Sequence, residues 1–223
     1  MPKVDSHLKI GVVAHHSRIF KAYNLFRQIE ADYISIDQKL GCDLNHQKVW
    51  QTTALLAQPD EWIIVIEDDA IPVDHFRDKA AAALDHTPDG IDVVSFYLGR
   101  LNPAGWQPYM ETAVAQADRA DASWITSNTT LHGVCLAIRG PRLVESMLST
   151  AVTLVRPIDE RITMWCRRFG HDTAYSHPSI VQHSDLDPCI TTRYDKRPRE
   201  KGRVAWRFGD RETWSQRSVP LKR

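Results

Sequence analysis

Two rhythms of apolar and polar positions alternate along this chain, and each change of rhythm marks an element. Lys9 to Ala14 is a short apolar run ending at His15-His16-Ser17, and it predicts a first strand. Ser17 then stands as an N-cap for a helix over residues 18 to 30, where Ile19, Tyr23, Phe26 and Ile29 recur at helical spacing. Tyr33 to Ile36 alternates as a second strand and stops at Asp37. Gly41 breaks the chain before a second helix that carries His46, Val49, Trp50 and Leu56. The third run, Trp62 to Ile66, is apolar throughout, as a strand covered on both faces must be. Strand, helix, strand, helix, strand is the order of a βαβ sheet with right-handed crossovers.

Beyond Pro72 the pattern predicts an alanine-rich helix over residues 74 to 86, a turn at Pro88-Asp89-Gly90 and a strand from Asp92 to Leu98. Residues 99 to 130 carry Asn102-Pro103, Gln107-Pro108 and little periodicity, and read as loop. A further strand runs from Thr129 to Ile138, and Arg139-Gly140-Pro141 turns into a helix through Leu148. Pro157 opens a last helix with Asp159, Glu160, Ile162, Met164 and Trp165, after which no regular element is predicted.

Length narrows the architecture. At 223 residues the chain holds one substantial α/β domain, with no internal repeat or linker. No apolar run approaches the roughly 20 residues that span a bilayer, and the N-terminus lacks a secretory h-region. Cys42, Cys135, Cys166 and Cys189 form no CxxC pair, which suits reduced, buried thiols in a cytoplasmic protein.

The chemistry concentrates where the third strand ends, in Glu67-Asp68-Asp69. Three adjacent carboxylates repel one another unless a cation sits among them, and ligands of open α/β sheets gather at carboxyl strand ends. A divalent-metal site is therefore expected there, the bland alternative being a solvated acidic turn.

The surrounding residues resemble glycosyltransferase family 25. The likeness rests on Gly41-Cys42-Asp43-Leu44-Asn45-His46 followed by Ile64-Val65-Ile66-Glu67-Asp68-Asp69-Ala70. It continues in His132-Gly133-Val134-Cys135-Leu136-Ala137-Ile138, Pro157-Ile158-Asp159 and His177-Pro178-Ser179-Ile180-Val181-Gln182-His183. Asn45 departs from it, since the family usually has serine there, and so do the short Pro-rich middle and the basic tail. The resemblance implies a GT-A fold, a Rossmann-like mixed sheet flanked by helices over residues 1–192. It also implies a Mn²⁺ or Mg²⁺ ion held by Asp69 and His183, and a nucleotide-sugar donor, UDP-glucose being the first candidate. Glu67 and Asp68 complete the acidic motif, with Asp68 toward the donor sugar. Ala14, His15 and Arg18 would face the pyrophosphate and base, and Asp37 a uracil or ribose group. His46 would touch the diphosphate or orient the acidic strand. Asp159, or failing it Glu160, would serve as base toward the acceptor hydroxyl. Each has a structural alternative: Arg18 as a surface cation, Asp37 as a turn residue, His46 as a core histidine, His183 as a loop histidine, and Asp159 as a dipole-favoured first-turn acid.

Charge adds a second theme. From Arg193 onward the chain has eleven Lys or Arg against four Asp or Glu, so this tail is +7 and the remainder of a neutral chain is −7. Trp206 and Trp214 are interleaved with those cations, a pattern expected for phosphate pairing and base stacking on DNA. Two acceptors follow: a 5-hydroxymethylpyrimidine base in DNA, as in phage-type DNA glycosyltransferases, or a lipopolysaccharide or other glycan. A nucleic-acid-binding module with a structural acidic cluster, and a metal-dependent nucleotidyltransferase or nuclease, are the readings from other classes.

Overall fold

The computed structural model describes residues 7–150, 157–186, 189 and 201–223. Its strands are β1 (Leu8–His15), β2 (Tyr33–Asp37), β3 (Trp62–Glu67), β4 (Ala70–Pro72) and β5 (Val93–Ser95), then β6 (Trp124–Ser127), β7 (Cys135–Arg139), β8 (Thr173–Ser176), β9 (Val181–His183) and β10 (Ser218–Pro220). Eight of them form one sheet in the order β10-β6-β8-β5-β7-β3-β1-β2. β1 pairs in parallel with β2 and β3, β7 runs antiparallel to both β3 and β5, β8 is parallel to β5, and β6 is antiparallel to β8. The result is an α/β protein with a mixed sheet flanked by helices.

The apolar run of β3 explains its central place. Trp62, Ile64 and Ile66 enter the core on one face, and Ile63 and Val65 enter the core on the other. Helices α1 (Ile19–Gln28) and α3 (Phe76–Leu84) cover the first face through Leu25, Phe76, Ala80 and Ala83. Helices α2 (Cys42–Leu55), α5 (Pro141–Thr150) and α6 (Ile158–Phe169) cover the second through Trp50, Met147, Ile162 and Trp165. Burying each such large side chain contributes about 1.5–3 kcal/mol. The approach of α2 to β1 is closest at Gly11, where a Cβ would lie 2.2 Å from Thr53 Oγ1 and 2.6 Å from Val49 Cγ1.

Several elements differ from the sequence expectation. Ser17 does not cap α1: residues His16–Arg18 form a short 3₁₀ turn whose cap is the His15 side chain, accepting from the Ser17 amide. Residues 99 to 130 are not loop but contain α4 (Gln107–Ala120) and β6. The helical stripe was there in Met110, Ala113, Val114 and Ala117, all buried. Pro108 masked it, although proline is tolerated in a first turn. The strand expected from Thr129 shortens to β7, because residues 128–134 run as an irregular segment across the sheet edge.

The C-terminal segment is the largest correction. Residues 201–223 are not an appended tail. They pack against the domain and supply β10, which pairs in parallel with β6. Trp214 is buried against Trp124 at 5.3 Å between ring centroids, and Trp206 packs on the α4 cluster under the Arg100 guanidinium. Arg193 and the domain boundary at 192/193 lie outside the described residues. Among the described residues no helix is long and apolar enough to cross a membrane.

Candidate functional site

The carboxyl ends of β1, β2 and β3 lie on one edge of the sheet, and the segment leading into β7 crosses that edge: the Glu67 amide donates to the Val134 carbonyl at 2.9 Å. Glu67-Asp68-Asp69 therefore opens between the β1–α1 turn on one side and His132-Gly133 on the other. Just past it, β4 pairs antiparallel with β9, with Ala70 opposite His183. That second small sheet brings His183, more than a hundred residues away in sequence, beside Asp69.

Cations do sit among the three acids, and they are side chains. One guanidinium nitrogen of Arg18, Nη1, donates to Asp68 Oδ1 at 2.9 Å and to Asp69 Oδ2 at 2.8 Å. Asp68 also accepts the His15 amide at 2.7 Å. Burial nonetheless holds the Asp68 carboxyl above its ordinary range, the His15 and Arg18 bonds offsetting part of it. Arg18 keeps its proton more tightly than usual, since its two carboxylate partners outweigh burial. Glu67 turns the other way, to His46, with Nε2 and Oε1 3.2 Å apart. Burial acts to raise Glu67, but the His46 bond and charge bring it below the usual carboxylate range. The expectation that Glu67 lies open to a ligand meets this His46 pairing.

Asp69 is the acid left with a free oxygen. Its Oδ1 is buried and has no hydrogen-bond partner among the described residues, while Oδ2 lies 3.6 Å from His183 Nε2. An orphaned hard oxygen suits Mg²⁺ or Mn²⁺, which bind through one or two carboxylates and take the rest of their shell from water and substrate phosphates. His183 fits that role less well: its Nδ1 accepts the Asp185 amide at 2.9 Å. The ring proton then resides on Nε2, and a protonated nitrogen is a donor toward Asp69 or a phosphate, not a ligand. Among the described residues no three His, Cys, Asp or Glu side chains converge as a ready-made metal cage.

The remaining expected residues divide by position. Ala14 presents its carbonyl to the Asn45 amide at 3.1 Å, and the same amide donates to Ser35 O at 3.2 Å. Asn45 thus fastens the ends of β1 and β2 together, a role that a serine hydroxyl, with one proton, could fill only once. Asp37 accepts the Leu40 amide at 2.7 Å and the Gly41 amide at 3.1 Å, so its carboxylate shapes the turn into α2. His16, absent from the sequence expectations, is exposed beside His15, and its Nδ1 is 3.2 Å from Asp37 O.

Asp159 begins α6 across from Glu67. Burial raises its pKa to about 6, the nearby Glu67 charge adds to this, and the bond from the Glu160 amide only partly opposes it. Glu160 is exposed on the same turn. Gly133 lies close to Glu67 and the start of α6: a Cβ there would stand 3.1 Å from Glu67 Oε1 and 3.1 Å from Ile158 Cγ2.

Tyr97, missed from sequence, and His132, read there only as part of a motif, back this edge. Gly99 donates its amide to His132 Nε2 at 3.1 Å, and burial drives that imidazole down to about 3, so it stays neutral. The Tyr97 ring lies 5.0 Å from His132 and 6.2 Å from His183, and its hydroxyl donates to Arg203 O at 2.9 Å. Nothing in the hydrophobic pattern separates Tyr97 from an ordinary core strand residue.

Among the described residues of the C-terminal segment, several cations are engaged within the fold. Arg207 pairs with Asp118 at 2.7 Å, Arg211 pairs with Asp121, and Arg217 donates to Ala120 O at 2.7 Å. These contacts and the packed Trp206 and Trp214 differ from the open stacking surface expected for DNA.

No protein-family model and no curated protein matches the chain. Among solved structures, mannose-6-phosphate isomerase from Helicobacter pylori is similar at 13% identity over 96% of this chain and 98% of that one, with a TM-score of 0.32. A likeness that distant carries no argument about activity.

Proposed function

We propose that this protein transfers a sugar from a nucleotide-sugar donor, in the first instance a UDP-sugar such as UDP-glucose, to an acceptor hydroxyl, using a GT-A arrangement of its sheet. The observation that carries this reading is Asp69, a half-buried carboxylate whose buried Oδ1 has no hydrogen-bond partner among the described residues, at the shared carboxyl edge of parallel strands. Arg18 and His183 flank it. Asp69 would hold Mn²⁺ or Mg²⁺, which when bound neutralises charge growing on a diphosphate leaving group. Arg18 turns from the acids toward phosphate oxygens, for which a guanidinium is well shaped. The His183 Nε2–H donates to the same group.

Asp159 is the base. A carboxyl raised to about 6 is ionised at neutral pH yet holds a proton better than an ordinary aspartate. That is the compromise general-base catalysis requires. The acceptor is a 5-hydroxymethylpyrimidine base in DNA or a glycan; the partial burial of Trp206 and the packing of Trp214 on Trp124 favour testing the glycan first.

Thermal shift with UDP-, GDP- and TDP-sugars, with and without Mn²⁺, tests the donor half of this reading. One nucleotide sugar should raise the midpoint of the wild type only with metal, and Asp69→Asn should lose the effect. An unchanged midpoint with every donor, or an equal shift in Asp69→Asn, would sink it. Transfer to oligosaccharides against transfer to hydroxymethylated duplex DNA then decides the acceptor.

A further inference from the structure

A second rim stands on the edge that carries the three acids. β7 runs antiparallel to both β3 and β5, so β5 ends on the same edge as β3. The chain leaving β5 is met there by residues 202–206. Gly99 bridges to Ala205, the Arg100 amide donates to Val204 O at 2.8 Å, and the Trp206 amide donates to Leu98 O at 2.9 Å. This rim begins beside His183. The Ala205 amide donates to Gln182 Oε1 at 2.6 Å, and the Tyr97 hydroxyl donates to Arg203 O at 2.9 Å.

Two arginines on the rim are laid over indoles. Arg100 Cζ lies 4.7 Å from the Trp206 ring centroid, and Arg223 Cζ lies 5.6 Å from that of Trp106. Both rings are half-buried against one apolar cluster around Leu98 and Met110, which fixes them as shelves. Leu221, two residues before Arg223, is anchored by its amide to Thr126 O at 2.7 Å. Arg100 and Arg223 are themselves exposed. Charge pairing sets them apart from their neighbours. Arg207 and Arg211 have Asp118 and Asp121, whereas among the described residues neither Arg100 nor Arg223 has a carboxylate partner. Arg100 gives one donor to Trp206 O at 3.4 Å and has others to offer. A guanidinium held over a ring still matches the paired oxygens of a carboxylate or phosphate, and it has lost part of its freedom before the ligand arrives.

We propose that this rim is the acceptor subsite and that it takes an acidic glycan, one bearing carboxylate or phosphate groups that Arg100 and Arg223 hold. Its role as an acceptor site rests on the sugar-transfer reading above, whereas the binding itself does not. Tyr109, 40% exposed and 6.4 Å from Trp106 between ring centroids, adds an apolar face for a sugar ring. Single-stranded nucleic acid asks for open ring faces on which successive bases stack. Here each indole already has a guanidinium over it and its body in the core, so the rim offers charge at fixed points more than a stacking platform.

Isothermal titration of the full chain, without metal or donor, tests the proposal with tetragalacturonate, a phosphorylated maltotetraose, neutral maltotetraose and a short oligothymidylate. One of the two acidic sugars should bind at least about tenfold more tightly than neutral maltotetraose, and which one does so separates carboxylate from phosphate. Arg100→Gln and Arg223→Gln should each weaken that binding about tenfold, the worth of one charge-assisted contact. Both side chains are exposed, so neither change disturbs the core. Arg27→Gln removes the same charge from the exposed side of α1 and should leave the affinity as it was. Equal binding of the neutral sugar, or a loss in Arg27→Gln as large as in the rim variants, would overturn the proposal. Tighter binding of oligothymidylate than of either acidic sugar would overturn it in favour of nucleic acid. If the acidic sugars fail while a nucleotide sugar still shifts the melting midpoint, this proposal falls and sugar transfer stands. If they bind while every nucleotide sugar fails, sugar transfer falls and the rim keeps its ligand.

Discussion

Replacing Asp159 with asparagine separates stability from catalysis, because the two respond in opposite directions. The folded carboxyl titrates at about 6 against an ordinary 3.8, burial being the main cause. An acid whose folded pKa is raised binds its proton more tightly in the native state, so stability falls as pH climbs from about 4 through 6. Titration about two pH units higher in the folded chain than in the unfolded one corresponds to about 3 kcal/mol between the fully protonated and fully ionised limits. Over an accessible window from pH 4 to pH 8 the wild type should lose about 2 kcal/mol that the isosteric amide does not lose. The amide keeps an oxygen to accept the Glu160 amide, so the bond at the start of α6 survives. Urea unfolding of both proteins at pH 4, 6 and 8 reads the difference directly. Asp159→Asn should gain on the wild type with rising pH, while its transfer rate falls by about a hundredfold or more if the carboxylate is the base. Parallel stability profiles across that window would refute the burial account of this group.

Arg18→Met leaves Asp68 and Asp69 without their shared cation and should cost about 3 kcal/mol, the penalty for uncompensated buried charge. Mn²⁺ should recover more of the melting temperature in that variant than it adds to the wild type, and equal metal shifts would show that the ion does not replace the guanidinium. Gly11→Ala should destabilise by about 2 kcal/mol in urea, since its Cβ would press on Thr53 and Val49 of α2. Trp214→Ala removes the ring packed on Trp124 and should cost about 3 kcal/mol, and deletion of residues 201–223, which strips β10 from β6, should abolish cooperative unfolding seen by circular dichroism. A truncated chain that still melts in one sharp transition would return that segment to the status of an appended tail.

The order of residues determined much of this architecture before any contact was known. A strand such as Trp62–Glu67, apolar at every buried position, can satisfy both faces only between two helical layers. The breakers Gly41 and Pro157 place helix starts because they act on the backbone locally. The acidic strand end was legible for the same reason, as three carboxylates in a row require compensation wherever they fold.

What compensates them was decided in three dimensions. Arg18 lies 50 residues from Asp68, and His46 lies 21 from Glu67. His183 reaches Asp69 only because β9 pairs with β4. Sequence spacing carries no trace of such pairings, since they follow from which strand ends share a sheet edge. The same holds for the C-terminus. Its charge and tryptophans describe a nucleic-acid arm equally well as an edge strand, and only the open side of β6 together with the Trp124 face shows that residues 218–220 form a strand and that Trp214 packs inward. Local patterning sets what each segment can become, and burial of complementary surfaces from distant segments selects among those forms.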